Sequence, residues 1–248
     1  VFMDRLSHVD RQTKKSSLKR KKTLVAYSFI LPSLTGFLIF TFVPIIFSLI
    51  LAFCEWDSGN PIKFIGFKNF SYMFLKDKSF WISLKNTIYY TVVTVPLTMV
   101  VALFLAILMN KPLKGRVFFR SVLFFPYVAS LVAIAVVWLA LFNPEIGPIN
   151  SILRTLGVEN PPRWAASTTW AMPTIIGLTV WKSMGYYMIV YLAALQAISK
   201  DLYEAAALDG ANGWQQFLNV TWPGITPTTF YILMMLMVTT FKSYDIMY

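Results

Sequence analysis

Hydrophobic and polar residues are distributed along this chain in long blocks rather than in alternation. Leu24–Cys54, Asn86–Asn110 and Ser121–Pro144 carry no charge, and Trp164–Ser199 is interrupted only by Lys182. Gly210–Phe241 is also uncharged, but its first part is polar and Trp-rich, which moves the predicted start of that span to near Gly224. A helix rising about 1.5 Å per residue crosses a bilayer in about 20 apolar residues, so each block is long enough to span. Barrel strands would alternate apolar and polar positions, and these runs do not. Prolines interrupt the blocks at Pro32, Pro44, Pro96 and Pro126. Such breaks are tolerated where neighbouring helices or water satisfy the freed carbonyls, and they serve equally as hinges or as packing kinks. Small residues four apart, Ala102 with Ala106 and Ala129 with Ala133, allow close helix packing.

Composition sharpens this picture. Of 248 residues, 57% are hydrophobic and 13% charged, with mean hydropathy +0.61. A soluble domain carries about 25% charge. One Cys excludes a disulfide framework or a Cys-rich metal site. His8 is the one histidine, which leaves almost nothing for His-based catalysis or zinc. Aromatic residues at 17% exclude disorder. The prediction is an all-α, polytopic membrane helix bundle with five spans.

Charge then orients it. Eight of the 22 basic residues lie in the first 22 positions, and four more (Lys111, Lys114, Arg116, Arg120) lie in one short loop. Basic residues beside apolar spans mark the cytoplasmic side, so the chain divides into a basic cytoplasmic N-terminal tail, 1–23, and a membrane domain, 24–248. The same clustering beside membrane spans argues against nucleic-acid binding. The tail is a poor signal peptide, because about 30 apolar residues follow without a small-residue cleavage site. Loops Glu55–Lys85 and Pro144–Arg163 are predicted outside. The inner loop Lys200–Pro223 breaks the bias, with one Lys against Asp201, Glu204 and Asp209. Topology alone does not account for an acidic inner loop.

Its local chemistry predicts two short helices joined at a glycine. Ser199 suits an N-cap and Asp201 the first helical turn. Leu202–Leu208, with Ala205–Ala207, is rich in helix formers, and Gly210 suits the C′ position. A second amphipathic stretch carries Trp214, Phe217 and Leu218 before Trp222-Pro223. Methyl-only alanine surface beside two carboxylates suits docking into a cleft with basic residues at its mouth.

Leu192-Ala-Ala-Leu-Gln-Ala-Ile198, then Leu202-Tyr-Glu-Ala-Ala-Ala-Leu-Asp-Gly-Ala211, then Phe217 and Trp222-Pro223, resembles the EAA loop of binding-protein-dependent ABC importer permeases, closest to the maltose and multiple-sugar subset. The resemblance extends over nearly the whole chain, with Trp222 departing from the leucine usual before the proline. It implies a type I ABC importer transmembrane domain whose sixth span lies beyond Tyr248. It implies a coupling loop at about 199–223, in which Glu204 pairs with a basic group, Ala205 and Ala206 lie against the ATPase groove, and Asp209 and Gly210 form the turn. The implied partners are a second permease subunit (a homologue or a second copy), two cytoplasmic ATPase subunits, an extracytoplasmic solute-binding protein, a sugar substrate and membrane lipid. No cofactor is expected in this chain, because ATP and Mg would be bound by the ATPase partners. The expected location is a prokaryotic inner membrane, multi-pass, with the N-terminus in the cytoplasm.

Residue chemistry agrees on what this chain lacks. It holds no G-x-x-x-x-G-K-[ST] phosphate loop, and no Ser–His–Asp set can form with His8 alone, so neither ATP hydrolysis nor another catalytic role is expected. A secondary transporter or channel is the alternative, and an intramembrane enzyme a more distant one. The first would need intramembrane Asp, Glu or His relays, and Lys182 is the one ionisable residue well inside a span. Lys182 falls roughly 15 Å from the outer end and about 25 Å from the inner end of its span. Snorkelling to the interface and a place in the pathway are both open to it. Ser183, Tyr186 and Tyr187 add hydroxyls and aromatic faces that suit a sugar, and the lysine favours an acidic one.

Overall fold

The computed structural model describes residues 22–57 and 59–242. Residues 1–21 of the basic tail lie outside them. The chain forms two compact units divided at Trp81–Ile82.

In the first unit, α1 (Lys22–Leu51) is apolar throughout and buries none of its apolar window. Five of its residues, Leu38–Phe42, wind as a π turn closed by the Val43 N–H on the Leu38 carbonyl. Pro44 follows immediately. A proline has no N–H and its ring crowds the carbonyl four residues back, so a wider turn just before it keeps the ladder bonded around the gap. A two-residue antiparallel pair, β1 (Cys54–Glu55) with β2 (Lys63–Phe64), comes next. The Asp57 carboxylate accepts from the Asn60 amide side chain at 2.7 Å and from the backbone N–H groups of Asn60 and Gly59. These bonds hold its carboxyl below the usual carboxylate value. In α2 (Lys68–Leu75), the Asn69 side chain donates to the Ala52 and Cys54 carbonyls at 3.1 and 2.9 Å, joining this helix to the end of α1.

The second predicted span is longer than its uncharged core. Helix α3 runs Lys78–Asn110, beginning eight residues before Asn86. Asp77 accounts for the extension: its Oδ1 accepts from the Ser79 and Phe80 N–H groups at 2.8 and 3.3 Å, as a helix cap does. Exposed lysines on the first turns do not disturb it. At the other end, Arg120 donates to the Met109 carbonyl at 3.1 Å, a cation where the helix dipole is negative.

The third predicted span, Ser121–Pro144, is not one straight helix. It is α4 (Arg116–Val128) and α5 (Leu131–Leu141), bent by 100°. The break falls at Ala129 and Ser130, which have ψ of 148° and 129°, while Pro126 stays inside α4. Among the described residues the long apolar helices therefore number four, or five if the bent pair counts as one span. A cap of connecting chain with α6 (Pro148–Thr155) leads to α7 (Ala171–Ala197), then α8 (Lys200–Leu208) and α9 (Gly213–Phe241). Helix α9 repeats the device of α1: a π turn at Phe217–Thr221, closed by the Trp222 N–H on the Phe217 carbonyl, precedes Pro223.

The core of this unit joins α3, α7 and α9. Ala102, Ala106 and Met109 meet Tyr187, Met188 and Tyr191, with Ile225, Ile232 and Leu236 closing the cluster. Ala102 and Ala106 are fully buried, as their spacing predicts, whereas Ala133 is exposed because the chain has turned at Ala129–Ser130. The tightest approach is α4 on α7, where a Cβ at Gly185 would overlap the Leu123 carbonyl and crowd Phe124.

Gly185→Ala should therefore destabilise this unit by about 1–3 kcal/mol, the usual penalty of overpacking against backbone. Gly177→Ala, on the same helix with nothing within 4 Å of the added methyl, is the control. Thermal unfolding in detergent should separate the two variants, and equal melting temperatures would show that the contact is not restrictive.

Candidate functional site

The acidic loop folds into a helix capped at both ends. The Ser199 hydroxyl accepts from the Asp201 N–H at 3.3 Å and opens α8. At the other end the Ala211 N–H reaches back to the Ala206 carbonyl at 2.9 Å and the Gly210 N–H to Ala207 at 3.0 Å. This six-to-one and five-to-two pairing is the Schellman stop, and it requires the left-handed conformation that Gly210 adopts at φ +81°. Asn212 then starts α9 in a reciprocal cap. Its side chain accepts from the Gln215 N–H at 2.9 Å and its own N–H donates to the Gln215 side chain at 2.8 Å. The Tyr203 and Thr221 hydroxyls, 2.9 Å apart, tie α8 to the π turn of α9. The predicted second short helix is thus the first turns of α9, and the helix begins at Gly213 rather than near Gly224.

This geometry fixes what the loop presents. Glu204, Ala205, Asp209 and Gly210 are exposed, and Ala206 is half-buried. Two residues absent from the sequence-based site extend the same surface: Leu208 is 89% exposed and Trp214 67%. Their signal was available, since large apolar side chains beside a capped turn have no core to enter. Behind α8, a cavity of about 400 Å³ is lined by residues that include Ile198, Leu202, Val220 and Pro223.

The pathway candidates lie on α7, and the structure divides them. Lys182 is 11 residues from Ala171 and 15 from Ala197, which puts it roughly 16 and 22 Å from the two helix ends. It and Ser183 are half-buried. The Lys182 ammonium lies 5.6 Å from the centre of the Tyr127 ring on α4. Tyr127 in turn stacks on Tyr186 at 4.5 Å and 12°. Tyr187 turns away into the core at 5% exposure, beside Met188 and Leu236. Lys182 and Tyr186 therefore share a face, as a spacing of four demands. Tyr127 was invisible to sequence reasoning, because it is 55 positions distant and inside an otherwise apolar block.

Near the start of α7, the fully buried Asn150 donates to the Pro144 and Pro162 carbonyls and accepts from the Trp164 indole at 2.6 Å. Trp164 and Trp170 meet here at 5.8 Å between ring centres, with Phe142 against Trp164 at 4.9 Å. Among the described residues no three His, Cys, Asp or Glu come together as a metal site.

Comparison with known proteins places these features in context. Residues 95–248 match the family described as binding-protein-dependent transport system inner membrane component. A probable ABC transporter permease of Bacillus subtilis strain 168, YesP, is 38% identical over 93% of this chain and 74% of its own length. The lactose transport system permease LacF of Rhizobium radiobacter is 34% identical over 95% of this chain and 79% of its own. The crystal structure of a bacterial alginate ABC transporter with its alginate pentasaccharide-bound periplasmic protein is 27% identical with TM-score 0.76. It covers 87% of this chain and 72% of that one.

The loop geometry makes its own prediction. Nothing lies within 4 Å of a Cβ at Gly210, so only its positive φ restricts the position. Gly210→Ala should cost about 1–2 kcal/mol of local stability, and Gly210→Asn less, since Asn tolerates the left-handed region. Amide hydrogen exchange at 203–212 should rank the three chains glycine, asparagine, alanine from most to least protected. Equal protection would contradict a conformation-limited stop.

Proposed function

The chain belongs to the inner membrane components of binding-protein-dependent transport systems, and we propose on that footing how its named residues serve transport. It is a membrane permease subunit of an ABC importer and not an enzyme. Its part is to provide a path and to transmit force to it.

The observation that carries the coupling role is the doubly capped α8, which presents Glu204, Ala205, Asp209 and Gly210 on one exposed loop. Glu204 offers a carboxylate to a basic group of the ATPase, and Ala205 and Ala206 a flat methyl surface to its groove. Leu208 and Trp214 add apolar area. Rigidity matters here, since a push on a frayed loop would be absorbed by it. The Schellman stop, the Asn212 cap and the Tyr203–Thr221 contact join α8 to α9, so that closure of two ATPase subunits would move membrane helices as bodies. ATP and Mg belong to those subunits.

The path is formed with a second permease subunit, either a second copy or a homologue. Solute reaches it from an extracytoplasmic binding protein. The substrate is a carbohydrate, supported by relatives named for lactose and alginate and by the Lys182, Ser183 and Tyr186 face, where aromatic planes and hydrogen-bonding groups meet. Tyr187 supports that face from the core. The N-terminus and the loop around Lys111–Arg120 face the cytoplasm, and the Asn150–Trp164 cap faces outward. Both follow the distribution of Lys and Arg.

Two measurements test these assignments. Glu204→Lys replaces an attraction by a repulsion and should weaken recovery of the ATPase with the membrane subunit roughly 10-fold, a change of about 1.4 kcal/mol. Elution of the membrane subunit itself should be unaltered. Normal recovery together with normal transport would sink the coupling assignment. For orientation, single cysteines at Gly59 and Lys114 in a Cys54→Ser background should react with an impermeant maleimide from outside and from inside the cell, respectively. Labelling of position 114 from outside would reverse the topology.

A further inference from the structure

Lys182 has no carboxylate partner among the described residues, and its ammonium lies over the Tyr127 ring. A ring face attracts the cation but accepts no conventional hydrogen bond, so the three ammonium donors remain free for something else. The ring is itself held in place. It stacks on Tyr186 at 4.5 Å, and Phe124, one turn earlier on α4, lies 5.9 Å from it. The position of α4 against α7 is set in turn by the backbone approach at Gly185. The cation is thus fixed at mid-helix beside an aromatic wall, with its donors unspent.

From this geometry we infer that Tyr127 is a positioning residue which holds the Lys182 ammonium for the carboxylate of an acidic saccharide. The inference rests on the carbohydrate reading given above and adds both a substrate class and a residue to it. A neutral sugar can accept hydrogen bonds from the same ammonium but leaves its charge uncompensated in a region of low dielectric. A carboxylate gains a charge-assisted hydrogen bond there. Tyr127 acts through Lys182: the ammonium is the group that touches the substrate charge, and the ring sets where it stands.

The test uses the complete importer, with its ATPase and solute-binding protein, reconstituted in proteoliposomes. The probes are trisaccharides of galacturonate, mannuronate and glucuronate, together with the neutral galactose, mannose and glucose counterparts. ATP-dependent uptake should favour an acidic member over its neutral counterpart. Lys182→Gln should raise the KM for that member roughly 10- to 100-fold and abolish the discrimination. Tyr127→Ala should reproduce this effect, whereas Tyr127→Phe, which keeps the ring, should retain the discrimination. Uptake of neutral members alone, or unchanged discrimination in Lys182→Gln, overturns the inference and leaves the carbohydrate reading standing. Uptake of no saccharide counts against that reading as well. Loss of the permease pair in Lys182→Gln, with discrimination intact in the residual complex, would assign the lysine to a carboxylate of the second subunit and overturn the inference too.

Discussion

A bilayer offers no hydrogen bonds, so each backbone N–H and C=O of a spanning chain must find its partner within the protein. Most local features of this molecule answer that constraint. Helix ends carry the unpaired groups, and here Asp77, Ser199 and Asn212 take N-termini while Arg120 takes a C-terminus. Interior prolines pose the same problem within a span. At Pro44 and Pro223 the answer is identical: the residue before the proline donates to the carbonyl five positions back, and the helix widens around the missing N–H. At Ala129–Ser130 the ladder stops and the chain turns by 100°.

Helix α7 is the member on which the second unit is assembled. One of its faces gives Met188, Tyr191, Leu192 and Leu195 to the core with α3 and α9. Gly185 accepts the backbone of α4 at a distance that no side chain would permit. Its Tyr90-facing side adds a hydrogen bond, Tyr90 to Thr179 at 2.8 Å, within a second small cluster. Trp181 and Ile189 stay exposed on the same helix, whereas Lys182 and Tyr186 are half-buried beside Tyr127 of α4, so the placement of the candidate pathway follows from how α4 packs on α7. The same helix runs into Ser199 and α8, which links the middle of the membrane to the capped loop by a short and well-bonded route.

Much of this was legible in the residues alone. Uncharged blocks longer than a bilayer announce spans, because few other environments tolerate them. The capped loop was legible for a different reason: N-cap, helix formers and C′ glycine are rules of adjacent residues, and Ser199 and Gly210 obey them without help from distant chain. The reading fell short wherever two local signals competed. Lys78 and Lys85 made the start of α3 look like loop, although charge on an exposed helical turn costs little once Asp77 caps it. Pro126 looked like the breakpoint of the third block, yet α4 continues through it and the break falls three residues later.

By itself, then, the sequence determined the helical class, the approximate spans and the chemistry of the acidic loop, since each depends on composition or on neighbours a few positions apart. Tertiary structure decided which side chains meet. That Tyr187 enters the core while Tyr186 stacks on Tyr127, or that a lysine at mid-helix rests on a ring 55 residues earlier, depends on how α4 crosses α7. The angle and depth of that crossing come from a glycine's missing side chain acting against another helix's backbone, an interaction between surfaces that periodicity within either segment does not encode.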